Sequence, residues 1–180
     1  MQKTYFKEEQ GFTQPWLWLL LILSMGAMLV PMFIGLYTQL VLGKPWGNQP
    51  LSDTALLWVS GLELAFAVGL FTLFIKMKLI VKVSETGLYF RFPPLILKEK
   101  EIRKDEIQTF AIREYKPVKE YGGWGIKYGK RQTGKAYNVK GNIGMQLVLK
   151  NNRKVLFGTQ RADAFQRAMV KMMKENNRDG

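Results

Sequence analysis

Cysteine and histidine are both absent from the 180 residues. Without cysteine no disulfide can form, so the redox compartment cannot be read from pairing. Without either residue most zinc and transition-metal sites are excluded, as are the thiol and the imidazole that serve as nucleophile and general base. A carboxylate-only Mg²⁺ or Ca²⁺ site needs an Asp-rich loop, and the sequence has none. The motifs that cradle nucleotides are missing too. Gly122-Gly123-Trp124-Gly125 lacks their spacing and the Lys-Ser/Thr that closes a phosphate loop. Those glycines are read as a tight bend, with Trp124 packed on a sheet. Glu85, Asp105, Glu106, Glu114 and Glu120 are available acids, but none forms a recognisable pair with a base. Neither a cofactor nor an enzymatic activity is expected.

Charge is scarce in one part of the chain and crowded in the other. The first 75 residues hold 3 Lys and Arg against 4 Asp and Glu; the rest hold 24 against 10, a net of +14. The basic excess therefore belongs to the C-terminal part alone.

The charge-poor part is apolar. Residues 16–42 carry no formal charge, and as a helix they would run roughly 40 Å, against a hydrocarbon core of about 30 Å. Tilt, or a kink at Pro31, accommodates the excess, and Trp16 and Trp18 suit the interface. The run is too long for the core of a secretory signal and lacks a clean cleavage site. A second span is expected over about 54–75, interrupted only by Glu63, with Ser52 or Asp53 as its cap. The short, turn-rich link makes the two spans an antiparallel hairpin. Lys76, Lys78 and Lys82 follow the second span, whereas the link has Lys44 alone. The positive-inside bias then puts both termini in the cytoplasm of a multi-pass protein of the cell (inner) membrane. The expected organisation is a cytoplasmic segment 1–15, a transmembrane hairpin 16–75, and a cytoplasmic domain 76–180.

Within the second span Gly61, Ala65 and Gly69 recur every four residues, a stripe that lets helix backbones approach. It is expected to pack on the first span, with a dimer seam as the other option. Glu63 falls near mid-membrane, on a face with Ser60 and away from that stripe. A carboxylate there costs about 2.5–3.5 kcal/mol on insertion scales. Contact with another subunit or a second copy, a protonated carboxyl bonded to Ser60 or a backbone carbonyl, and proton or ion handling all remain open.

The C-terminal part reads as about seven short strands and a helix. Strands are expected at 79–83, 88–92, 95–102, 107–112 and 136–139, followed by a hairpin of 145–149 with 154–157 turning at Lys150-Asn151-Asn152-Arg153. The period then changes: Phe165, Ala168, Met169 and Met172 mark one face of a helix over about 160–175, with Thr159 as a candidate cap. This is an α+β membrane protein, with a small β-sandwich or barrel capped by a C-terminal helix.

Val83-Ser84-Glu85-Thr86-Gly87-Leu88, Lys104-Asp105-Glu106-Ile107, Gly122-Gly123-Trp124-Gly125-Ile126, residues 134–144, and Leu156-Phe157-Gly158-Thr159-Gln160 leading into the helix occur in an order that resembles bacterial pleckstrin-homology-like (PH-like) domains of small membrane proteins. The resemblance covers roughly 77–175 and extends to the preceding hairpin. It implies a fold and a membrane-proximal position, and no defined reaction.

Arg113, Lys116, Lys119, Lys127, Lys130, Arg131, Lys135 and Lys140 interleave with Tyr115, Tyr121, Tyr128 and Tyr137. Anionic lipid, an acidic protein partner, nucleic acid and ordinary solvated charge compete as readings. A nearby membrane makes lipid contact the easier functional one, and nucleic acid is not expected. The sequence thus leads to a non-enzymatic, membrane-anchored module that meets the anionic inner leaflet, another membrane protein or a second copy. The alternative is an accessory subunit of a transporter or pump that uses Glu63.

Overall fold

A computed structural model describes residues 3–129 and 132–174. The chain is α+β and divides into two units: Thr13–Ile75, and the segments before and after it together.

The inserted unit is a pair of helices, α1 (Pro15–Leu36) and α2 (Asp53–Lys76), each long and apolar enough to cross a membrane. Pro15 opens α1 at a position where a missing N–H costs nothing. Pro31 lies inside α1 without ending it, and a five-residue π turn, Tyr37–Val41, prolongs the helix. Ser52 starts α2: its carbonyl accepts from the Leu56 amide at 2.8 Å and its hydroxyl from the Ala55 amide at 3.3 Å. Gln39 fastens the link, donating to the Leu51 carbonyl and the Asp53 carboxylate, both at 2.7 Å. The link folds back over Gly35, where an added Cβ would lie 2.8 Å from the Trp46 ring.

The other unit holds two sheets and two further helices. The first sheet is an antiparallel meander: β1 (Thr4–Gly11), β2 (Lys78–Ser84), β3 (Gly87–Phe92) and β4 (Ile96–Arg103). The second has the order β5-β8-β9-β7-β6, built from β5 (Ile107–Glu114), β6 (Gly125–Tyr128), β7 (Lys135–Asn138), β8 (Ile143–Leu149) and β9 (Lys154–Gly158). Among the described residues only β7 and β9 pair in parallel. The sheets are not closed into a barrel. They meet through Phe90 of β3, whose ring centroid lies 4.6 Å from Tyr137 and 4.9 Å from Phe157. The expected 145–157 hairpin is β8–β9, with Asn152 at φ 62° in its turn. A short helix, α3 (Pro117–Tyr121), precedes the expected glycine-rich bend, which lies at 122–124, and ends on Gly122 at φ 74°, a left-handed cap. Trp124 then donates its indole N–H to the Gly141 carbonyl at 3.1 Å.

Helix α4 (Ala162–Lys174) buries Phe165, Ala168, Met169 and Met172, the four residues at the expected spacing. Thr159 lies upstream of the helix and is not its cap; its hydroxyl accepts from the Arg161 amide at 3.0 Å. The helix packs against β1, β2, β5 and β8, covering the edge where the sheets would otherwise open to water.

The segment expected as a separate N-terminal tail is the outer strand of the first sheet. β1 pairs with β2 from Thr4↔Ser84 to Gly11↔Lys78. Its inward residues are Phe6, Glu8 and Gln10, all buried. Phe6 stacks on Phe165 with centroids 4.7 Å apart. Glu8 accepts from the Thr159 hydroxyl at 2.6 Å and the Gln160 amide at 2.9 Å, and Gln10 donates to the Gly158 carbonyl at 2.7 Å. Two of the three inward positions are polar, so the alternation that announces a half-buried strand is missing. Removing Glu8 leaves two donors without their acceptor. Glu8→Ala is therefore expected to destabilise the domain by about 1–3 kcal/mol, read by thermal unfolding of the full chain in detergent. The exposed Glu85→Ala serves as the reference, and an equal effect of the two would contradict the buried role.

Candidate functional site

The hairpin reverses the expected use of its faces. The buried residues of α2 are Leu56, Ser60 and Ala67, with Glu63 half-buried among them. Gly61, Ala65 and Gly69 are exposed, and a Cβ added at Gly61 or Gly69 would meet nothing within 4 Å. The small-residue stripe thus does not pack on α1. The reason lies in α1, whose covered positions include Leu21 and Met32, with Met25 and Met28 half-covered between them. Long side chains at that spacing fill the space between helices, leaving a closely approaching backbone no advantage. Glu63 lies on the covered side of α2, not on an outward face. The Ser60 hydroxyl is buried and makes no hydrogen bond, so it does not satisfy Glu63. Thr38 bonds back to the Ile34 carbonyl at 2.7 Å, and Gln39 is taken by the link.

The eight basic residues expected to form one surface do not share one environment. Lys130 and Arg131 lie outside the described residues. Arg113 is engaged inside the fold: it donates to Glu120 at 2.9 Å, Tyr121 at 3.1 Å, Gln146 at 3.1 Å and the Glu114 carbonyl at 3.2 Å. It braces β5 against α3 and β8 and has little left for a ligand. Burial pulls the Arg113 pKa down, but its hydrogen bonds and charge interactions with Glu120 and Tyr121 together outweigh it and the net direction is upward. Burial raises Glu120 in turn, yet hydrogen bonds from Arg113 and the Lys116 amide hold it below the usual carboxylate value. Burial pushes the Tyr115 and Tyr121 hydroxyls upward. Tyr115 accepts from Asn138 at 3.1 Å and Tyr121 donates to the Thr133 carbonyl at 3.1 Å.

Lys116 and Lys119 are exposed around α3, and Lys140 follows β7. Gln160 links this end of the second sheet to β1, donating its side chain to the Lys140 carbonyl at 3.2 Å and its amide to Glu8. Lys140 is thereby tied to the middle of β1. Lys127 is half-buried on β6.

Lys135 begins β7 at the opposite end. There an open cleft of about 910 Å³ is lined by Lys100, Lys135, Arg153 and Lys154 together with Glu101, Glu106, Tyr128 and Tyr137. Lys135 Nζ bonds to Tyr128 Oη at 2.8 Å and lies 4.5 Å and 5.0 Å from the Tyr128 and Tyr137 ring centres. Burial lowers its pKa, but the hydrogen bonds to the tyrosines win and the ammonium titrates above an ordinary lysine. The same bond lowers the Tyr128 hydroxyl. Among the described residues no group of three or more metal-binding side chains converges.

The spacing Leu56, Ser60, Glu63, Ala67 marks one face of α2 in the sequence, but only the structure shows that it is the covered one. The network around Arg113 was not readable, because its partners come from three elements.

No protein-family model, curated protein or solved structure matches the chain.

Because the folded-state pKa of Glu120 is lowered, its stabilisation is present above the ordinary carboxylate range and is lost as pH falls through the lowered value. Glu120→Gln is expected to flatten the stability–pH curve below about pH 5, measured by denaturant titration at stepped pH. An unchanged slope would rule out the contribution.

Proposed function

We propose that the chain is a non-enzymatic, membrane-anchored module with a PH-like cytoplasmic domain. Its hairpin crosses the cell (inner) membrane twice. Its basic domain meets the anionic leaflet and a second membrane protein or another copy of itself.

One observation carries the reading: Gly11 and Lys78 are cross-strand partners. A chain that leaves the domain at Gly11 and returns at Lys78 has both crossings' ends on one side. That requires an even number of spans, and α1 and α2 are two helices of sufficient length. This supports a common side for both flanks independently of charge. The lysines after α2 then favour the cytoplasm. Lys116 and Lys119, exposed around α3, and Lys140, tied through Gln160 to β1, suit contact with anionic headgroups. Lys135, at the cleft, does not share that position.

The outward stripe of Gly61, Ala65 and Gly69 favours a helix of another chain, because small residues allow close backbone approach. The alternative, an accessory transporter subunit using Glu63, needs the carboxylate at a partner. The covered position of Glu63 in the hairpin weighs against it.

The cysteine-free sequence makes the topology directly testable. In intact cells a membrane-impermeant maleimide is expected to label Asn48→Cys. It should leave Lys3→Cys and Asn151→Cys untouched until the membrane is opened. Labelling Lys3→Cys and Asn151→Cys from opposite sides would end the reading. For the partner, Gly61→Ile combined with Gly69→Ile is expected to abolish co-purification of a second membrane protein or tagged copy in mild detergent. The melting temperature should stay as it was, since both positions are exposed and a Cβ added at either meets nothing within 4 Å. Undiminished co-purification would move the contact elsewhere.

A further inference from the structure

The β3–β4 turn leaves two leucines outside the fold. Leu95 is 56% exposed and Leu97, at the start of β4, is 69% exposed. A single exposed leucine needs no explanation; the location of this pair does. The Lys78 amide donates to the Pro93 carbonyl at 3.1 Å, which ties the turn to the first residue of β2. Lys78 lies two residues past the end of α2, so its Cα is within about 7 Å of that helix end by chain length alone. Across the ladder, Gly11 lies four residues before the start of α1. The leucines therefore project at the end of the sheet to which both apolar helices are covalently tied.

Cations surround the turn. Lys76, Arg91 and Lys98 are exposed, while Lys78 is paired with Glu9 at 2.7 Å. Apolar side chains with a basic rim match the boundary between headgroups and acyl chains of an anionic bilayer. A protein occupant would have to reach the turn beside the bilayer that the hairpin already enters.

We infer that Pro94, Leu95 and Leu97 form a wedge seated in that boundary, with Lys76, Arg91 and Lys98 reaching lipid phosphates. The inference rests on the membrane reading above and names the edge of the domain that touches lipid. The wedge adds a third attachment beside the two helices, which limits rotation of the domain about its tethers.

The test uses the full chain in vesicles of phosphatidylethanolamine and phosphatidylglycerol. Leu95→Cys and Leu97→Cys each carry an environment-sensitive fluorophore, with Asn151→Cys as the aqueous reference and Leu62→Cys in mid-α2 as the check on insertion. Bromines near the glycerol level are expected to quench the two turn probes, which sit at the headgroup–acyl boundary, while leaving Asn151→Cys unquenched, and the turn probes should also be blue-shifted against Asn151→Cys. Turn probes that behave like Asn151→Cys, while Leu62→Cys is quenched by deeper bromines, overturn the wedge and keep the hairpin. Turn probes that are blue-shifted but unquenched put protein over the leucines and also overturn it. An unquenched Leu62→Cys removes the membrane reading itself, and the wedge with it.

Discussion

The antiparallel ladder between β1 and β2 is the interaction on which the rest of the fold depends. It joins residues separated by the whole apolar hairpin, from Thr4↔Ser84 to Gly11↔Lys78. Without β1, the amides and carbonyls along the outer edge of β2 lose their partners. Phe165 loses the ring stacked on it. The link from β9 to α4 loses the carboxylate that binds Thr159 and Gln160. The strand acts as an edge of the first sheet and as a clasp between that sheet, the second sheet and α4. Its inward residues serve the two tasks separately: Phe6 fills space against the helix, whereas Glu8 and Gln10 satisfy backbone groups where β9 ends.

The two edges of the domain differ. One is closed by α4, whose apolar face reaches strands of both sheets. The other stays open as the cleft between β4 and the β6–β7–β9 part of the second sheet, where Lys135 is held between tyrosines. Positive charge is divided in the same way. Some is consumed inside the fold by Arg113, some stands around α3, and some lines the cleft. A net charge of +13 therefore does not correspond to one basic face.

What the sequence disclosed follows from periodicity and length. The two apolar runs, the β8–β9 hairpin and the α4 face at 165, 168, 169 and 172 are local patterns that need no knowledge of distant partners. β1 was hidden because Glu8 and Gln10 are buried by groups far away in sequence, and burial of polar residues leaves no apolar alternation to read. The orientation of α2 was misjudged for a related reason. Gly61, Ala65 and Gly69 announce a surface that could pack closely, but which partner takes it depends on the long side chains of α1. Arg113 looked like its basic neighbours because hydrogen bonds to Glu120, Tyr121 and Gln146 cannot be read from charge patterning.

The continuity of β1 with β2 also fixes an order of events in synthesis. β1 is made first, yet its partner strand emerges only after both hairpin helices. Closing that connection as a loose coil would cost a few kcal/mol, since the penalty grows only with the logarithm of length; a helical hairpin that brings the chain back lowers it. Formation of the hairpin therefore favours completion of the first sheet. A chain whose hairpin fails keeps the outer edge of β2 unpaired, a row of free amides and carbonyls open to pairing with another chain.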